Sequence, residues 1–428
     1  MKIPLELPTI QNWSCHSCGG CCRQHAITIT EEERQRIIAQ NWTAADGIPA
    51  SQPLFVKMGG LLSRTWYRLA HQPDGACVFL DDKGLCRIHG KFGEPAKPLA
   101  CRIYPYAMHP AGPKITVSLR FSCPSVVRNL GRKVTDQKRD LQEYAQKIVP
   151  EHFANAPAPE ISSRSPVDWP TFHQFNTALL RNFEGNSRVP SFVLQLIRNL
   201  SWLRLIDEAN FDKLGADRVR EYLDLVRIIA AAEIPEIPAV GKMSSLGATN
   251  FRLLAGQYAR KDTHGSSENT WAARFRLFQA ATRLSRGKGL TPTLQPELGP
   301  VPFTELERDW EFAPGAAASV DQLFRRYLRV KVAGLHYCGA AYYQMSFIEG
   351  FRSLAMVFPC VMWIARWLAA TRKSSVLAAT DIETALTIAD HHHGYSPLFG
   401  SWGFRNRVNY LAHRQEIELL CLKLLPHG

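Results

Sequence analysis

At 428 residues the chain is longer than one hydrophobic core sustains, so two or three domains are expected. Its 46 % hydrophobic and 21 % charged residues are those of an ordinary soluble globular protein. The formal charge of +13 is dispersed without a long basic block, which argues against nucleic acid as a partner, and the longest apolar run, Leu354 to Ala365, is too short for the about 20 residues of a membrane span.

The opening Met1 to Pro8 has neither the apolar region nor the cleavage site of a secretory signal. A cytoplasmic, reducing location is therefore expected, where clustered cysteines bind metal rather than pair as disulfides. Eight of the eleven cysteines lie between Cys15 and Cys123. The first four, Cys15, Cys18, Cys21 and Cys22, form a CxxCxxCC cluster in which Gly19 and Gly20 suit a tight turn. Extended backbone would aim the neighbouring Cys21 and Cys22 to opposite sides, so either two metal centres or one centre with spare thiols is expected.

Ala26 to Thr30 alternates as a short strand, and Thr30 to Glu33 reads as a capping box that starts a helix. Pro49, Pro53, Gly59 and Gly60 mark loops, and Trp66 to Leu69 reads as a strand. Cys77 to Cys86 has the pattern of a β-hairpin turning at Asp82-Lys83-Gly84, which would make the two cysteines cross-strand neighbours and let Arg87 to His89 continue the second strand. Pro95 and Pro98 then hold an extended segment that delivers Cys101, and a strand from Lys114 to Phe121 leads to Cys123.

Beyond Thr135 the pattern becomes helical: 135–148, then a Pro, Ala and Ser-rich linker over 150–170, then 191–206, 216–232, 271–284, 320–335, 342–370, 380–391 and 404–425. Thr380 to Glu383 reads as a second capping box, and 233–248 and 286–315 read as connections. The predicted class is α+β: a cysteine-rich metal-binding module of short strands and loops (1–133), a helix and linker (134–170) and a mainly α-helical domain (171–428).

The CxxCxxCC start, followed by Cys77, Cys86 and Lys97-Pro98-Leu99-Ala100-Cys101-Arg102-Ile103-Tyr104-Pro105, resembles the YkgJ-type cysteine-cluster family of zinc- or iron-chelating proteins over about residues 13 to 125. That resemblance implies Cys15, Cys18, Cys21, Cys22, Cys77, Cys86, Cys101 and Cys123 as metal ligands. A module of this kind followed by a helical region resembles the bacterial flagellin lysine N-methylases. It implies methylation of protein lysines, flagellin among them, with S-adenosylmethionine and a 4Fe–4S cluster. The alternative is a non-enzymatic zinc or iron chelator whose helical region binds a partner.

Two four-ligand sites would use all eight cysteines, and zinc and iron–sulfur both accept such sets. A radical mechanism is disfavoured because CxxxCxxC is broken at His25, and no GxGxxG of a dinucleotide-type methyltransferase occurs. The catalytic and S-adenosylmethionine-binding residues are not identifiable from the sequence. Tyr104, Tyr106 and His89 are candidates to assist a lysine amine, with packing beside the ligands as the plainer role. Arg87 and Arg102 would offset thiolate charge. Asp390 to His393 at a helix end reads as dipole-compensating rather than metal-binding. Tyr337, Tyr342, Tyr343, Phe347, Phe351, Phe358, Trp363 and Trp367 read as core, and Cys338, Cys360 and Cys421 as small buried hydrophobes.

Overall fold

The computed structural model describes residues 3–59, 65–162, 165–183, 191–209, 218–234, 241–260 and 271–425. The first part alternates β1 (Leu5–Glu6), β2 (Asn12–Trp13), α1 (Gly20–Gln24), β3 (Thr28–Ile29), α2 (Glu31–Ile38), β4 (Phe55–Met58), β5 (Trp66–Leu69), α3 (Arg87–Phe92) and α4 (Leu99–Ile103). Next come β6 (Tyr106–Ala111), β7 (Lys114–Leu119), α5 (Pro124–Val127), β8 (Arg132–Lys133) and α6 (Lys138–Ile148). Strands this short are stable only when paired and packed. They form sheets in the orders β3-β5-β4 and β1-β7-β6, and a β2-β8 pair.

The predicted capping box is present: Glu33 N donates to Thr30 Oγ1 at 3.2 Å, and Thr30 N to Glu33 Oε2 at 3.0 Å. Glu33 Oε1 also accepts from Leu99 N at 2.7 Å, so the same carboxylate fixes the start of α4 and hence Cys101.

The predicted hairpin does not form. Cys77 bridges to His71 and Cys86 to Leu80, because Asp81 Oδ1 accepts from both Lys83 N (2.9 Å) and Leu85 N (2.7 Å), curling the chain into an Asx turn. Arg87 to His89 begin α3 instead of extending a strand, and Cys101 stands on a short helix, not on an extended segment.

The helical part comprises α7 (Trp169–Asn182), α8 (Phe192–Glu208), α9 (Val219–Glu233), α10 (Ser245–Ala259), α11 (Trp271–Arg286), α12 (Phe303–Glu307), β9 (Glu311–Phe312) and α13 (Ala316–Ala333). It closes with α14 (Phe347–Ala355), α15 (Val357–Thr371), β10 (Val376–Leu377), α16 (Ala379–His392), α17 (Trp402–His413) and α18 (Glu416–Lys423). Asp168 caps α7 by accepting from Thr171 N at 2.9 Å with Pro170 in the first turn, so the residues read as the end of a linker start a helix. Helix α10 starts at Ser245, inside the stretch read as connection up to residue 248, and runs on to Ala259 where no helix was expected. The single pattern over 342–370 is two helices, because Pro359 lacks an N–H and its ring opposes the carbonyl four residues back, at the end of α14. The cap of α16 is two residues earlier than predicted, with Ala378 N donating to Asp381 Oδ2 at 3.0 Å.

The Phe347–Thr371 stretch is apolar and long enough for a membrane span, but 89 % of its most apolar window is buried inside the fold, as expected of a core helix. A small core beneath the cysteines gathers Ile29, Ile37, Leu69, Val78, Phe79 and Ile88. The main core runs from Tyr106 and Phe121 through the helices to Leu424 and contains the predicted aromatic set, with Tyr343 at its edge. Strand β7 is built into it: Thr116 Oγ1 donates to Gly334 O at 3.2 Å, and the Gly334 backbone lies close against Ser118.

Candidate metal centre and adjoining cavity

All eight cysteines of the first part line two adjoining cavities, and all eleven in the chain are free thiols. The first cavity, about 390 Å³, is faced by Cys21, Cys22, Cys77, Cys86 and Cys101. The second, about 860 Å³, is faced by Cys15, Cys18 and Cys123 and by the other side of Cys21, Cys22, Cys86 and Cys101. Four cysteines therefore form the partition between the two spaces.

Local structure explains this convergence. Gly19 has φ 67° and turns the chain into α1, so Cys21 and Cys22 lie on a helix rather than on extended backbone. Their sulfurs are 3.9 Å apart, side by side instead of opposed. Cys22 O accepts from Cys77 N at 2.7 Å, which draws the third thiol in.

The donor set fits a thiolate-bound metal. Two thiolates at about 2.3 Å from one tetrahedral ion stand about 3.8 Å apart, close to the Cys21–Cys22 separation. Among the described residues no three Cys, His, Asp or Glu side chains already form a coordination group, so gathering three or more sulfurs takes rotation of thiol side chains. Burial pushes Cys77 up to about 12 and raises Cys101, and the Cys22 hydrogen bond followed by burial raises Cys21. These thiols are neutral without a cation, and metal ligation is what ionises such groups.

Helix α16 and the residues after it supply the far wall of the first cavity. His391 stacks on His25 (centroids 4.6 Å, planes 19° apart), and Tyr104 tilts on His25 at 5.0 Å. Tyr395 and Arg120 complete the wall. Burial first, then the Arg120 charge, holds His25 well below the ordinary histidine range. Tyr104 is raised by burial and its hydroxyl meets Ser122 Oγ at 3.1 Å.

Of the proposed amine-assisting residues, Tyr104 reaches both cavities, while Tyr106 and His89 face only the second. The expected charge compensation falls elsewhere. Arg87 Nε donates to Asp46 O and Arg102 Nε to Glu94, each at 2.9 Å, and the cation that eases ionisation of Cys21 and Cys101 is Lys97. His391, His392 and His393 turn to different neighbours, His25, Arg260 O and Tyr342 respectively. Arg120 and Tyr395 escaped the sequence reading, which named His25 only as the break in CxxxCxxC and His391 only as dipole-compensating, and spacing carries no signal for their meeting: Arg120 Nη2 donates to His391 O across 271 residues.

Residues 14–125 match the model of a family described as "CxxCxxCC: Putative zinc- or iron-chelating domain". The match supports chelation of zinc or iron by this part of the chain. No curated protein and no solved structure matches.

Proposed function

We propose that the cysteine module holds a metal centre, a 4Fe–4S cluster or zinc, and that the first cavity beside it is where a protein lysine, such as one of flagellin, is methylated by S-adenosylmethionine. One observation carries the reading: the cavity has metal-ligand sulfurs on one wall and His25, Tyr104, His391 and Tyr395 on the other, and exists only where the module meets the helical part. Cys21, Cys22, Cys77, Cys86 and Cys101 would supply the centre at the partition, and Cys15, Cys18 and Cys123 a second one or spare thiols. When bound, the metal supplies a Lewis-acidic or electron-accepting surface for the methyl donor.

The chain's own residues account for the rest. The aromatic ring of Tyr104 suits a sulfonium cation, the Tyr395 ring being covered by Arg120. Methyl transfer needs a neutral amine, and Ile27, Leu69, Phe79 and Ile88 around the cavity favour that form by keeping water from the ammonium. His25, neutral in the fold, adds no positive charge beside the incoming amine, which sheds its proton to solvent before it enters the cavity.

Anaerobically purified protein is expected to be brown or to carry stoichiometric zinc. Cys101→Ser should lose the metal and Cys338→Ser, buried in the main core, should retain it; colourless, metal-free wild-type protein would sink the proposal. Tritiated methyl transfer to flagellin, lost in Cys101→Ser, tests the activity, and no labelled protein in a lysate of the native host would refute it. A non-enzymatic chelator with a partner-binding helical region is the second reading. It is favoured by α11, which leaves Trp271 85 %, Phe275 59 % and Phe278 68 % exposed on one face.

A further inference from the structure

The first cavity has two chemically different ends. Lys97 stands with the sulfurs, whereas Arg120 lies at the wall formed by α16 and Tyr395. The Arg120 guanidinium sits 3.6 Å from the Tyr395 ring centroid and 5.5 Å from that of Tyr104, so it packs against two aromatic rings. Nη2 donates to His391 O at 3.3 Å, but Nε is buried and has no hydrogen-bond partner among the described residues.

The neighbouring acid cannot neutralise this cation. Asp390 Oδ2 accepts from Phe121 N and Ser122 N, and Oδ1 from Lys331 Nζ at 2.8 Å and Tyr327 OH at 3.1 Å. Both oxygens are thus committed. A guanidinium that lines the cavity, packs against aromatic rings and has no carboxylate partner among the described residues is complementary to a planar anion arriving there.

We propose that Arg120 binds the carboxylate of an amino-acid-type ligand lying along the first cavity, with the rest of the ligand directed toward the sulfurs. Resting on the methyl-transfer reading, the ligand is S-adenosylmethionine, anchored through the carboxylate of its methionine half. A carboxylate suits the site better than a phosphate, because one arginine at this end of the cavity balances a single negative charge and leaves a dianion undercompensated.

Titration calorimetry on metal-loaded wild type, Arg120→Gln and Arg120→Lys tests this with S-adenosylhomocysteine and with 5′-methylthioadenosine, which lacks the carboxylate. Arg120→Gln should weaken S-adenosylhomocysteine ~10- to 100-fold, with Arg120→Lys between, and leave methylthioadenosine within about twofold. Metal content and urea midpoint should match wild type. Unchanged affinity for S-adenosylhomocysteine, or equal loss for both ligands, overturns the carboxylate site while leaving the methyl-transfer reading standing. Should wild type bind no S-adenosylhomocysteine, methionine serves as the carboxylate probe: Arg120-dependent binding upholds the site and refutes the methyl-donor assignment, and no binding refutes both.

Discussion

Asp390 is the residue on which the cysteine module and the helical region are fastened together. Its carboxylate accepts two backbone N–H groups next to Cys123 and pairs with Lys331, both side chains being 0 % exposed. Asp390→Asn would leave a buried ammonium without its counter-ion, and a loss of roughly 3–5 kcal/mol is expected. Urea unfolding of the variant measures it, and a loss under 1 kcal/mol would mean that Lys331 is not charged in the fold. The same region holds neutral histidines: burial lowers His109 to about 4, and His336 and His393 also lie well below 6.5. On unfolding they regain the ordinary value, so between about 4 and 6.5 the unfolded chain binds more protons than the folded one. Stability should therefore be full above pH 6.5 and fall as pH drops toward 4, each histidine adding a slope of about 1.4 kcal/mol per pH unit. Replacing His109 by Gln should remove one proton from the slope measured between pH 6 and 5; an unchanged slope would assign the acid sensitivity elsewhere.

Elements were legible in the sequence wherever local chemistry decides them. The Thr30–Glu33 cap, the β5 and β7 strands and the buried aromatic helices follow from patterns that need no distant partner. The Cys77–Cys86 stretch was misread because alternation and a Gly turn signal a hairpin, whereas the Asp81 side chain captures the backbone first. Glycines show the same division between local and distant causes. Gly90 lies inside α3 with nothing within 4 Å of where a Cβ would stand, so Gly90→Ala should stabilise by about 0.5–1 kcal/mol through helix propensity alone. At Gly350 on α14 an added Cβ would stand 2.0 Å from Tyr337 O, a backbone atom that cannot rotate away. Gly350→Ala should cost about 3 kcal/mol or more. Thermal unfolding of the two variants checks the contrast, and a shift of the same sign in both would contradict the packing described for α14.

At the scale of the whole molecule, the eight cysteines were readable and the cavity they face was not. The sulfurs announce themselves by spacing, but His391 and Tyr395 reach them only through the packing of α16 against the segment from β7 to α5, which no local pattern encodes. That packing also bears on whether the module is self-sufficient. Its small core of Ile29, Ile37, Leu69, Phe79 and Ile88 is its own, yet Val117, Leu119, Phe121, Val126 and Val127 are buried in the main core with the helices. Severed after residue 133, the chain would expose this second set and lose the Asp390 acceptor for Phe121 N and Ser122 N. Unpaired backbone donors and a bare apolar face of that kind promote aggregation. Residues 1–133 expressed alone are thus expected to bind an apolar dye, to unfold without a cooperative transition and to hold metal weakly, and co-expression with residues 134–428 should restore both folding and metal content. A fragment that unfolds cooperatively with its full metal complement would show that the sulfurs organise the module unaided and that the helical region contributes only the far wall of the cavity.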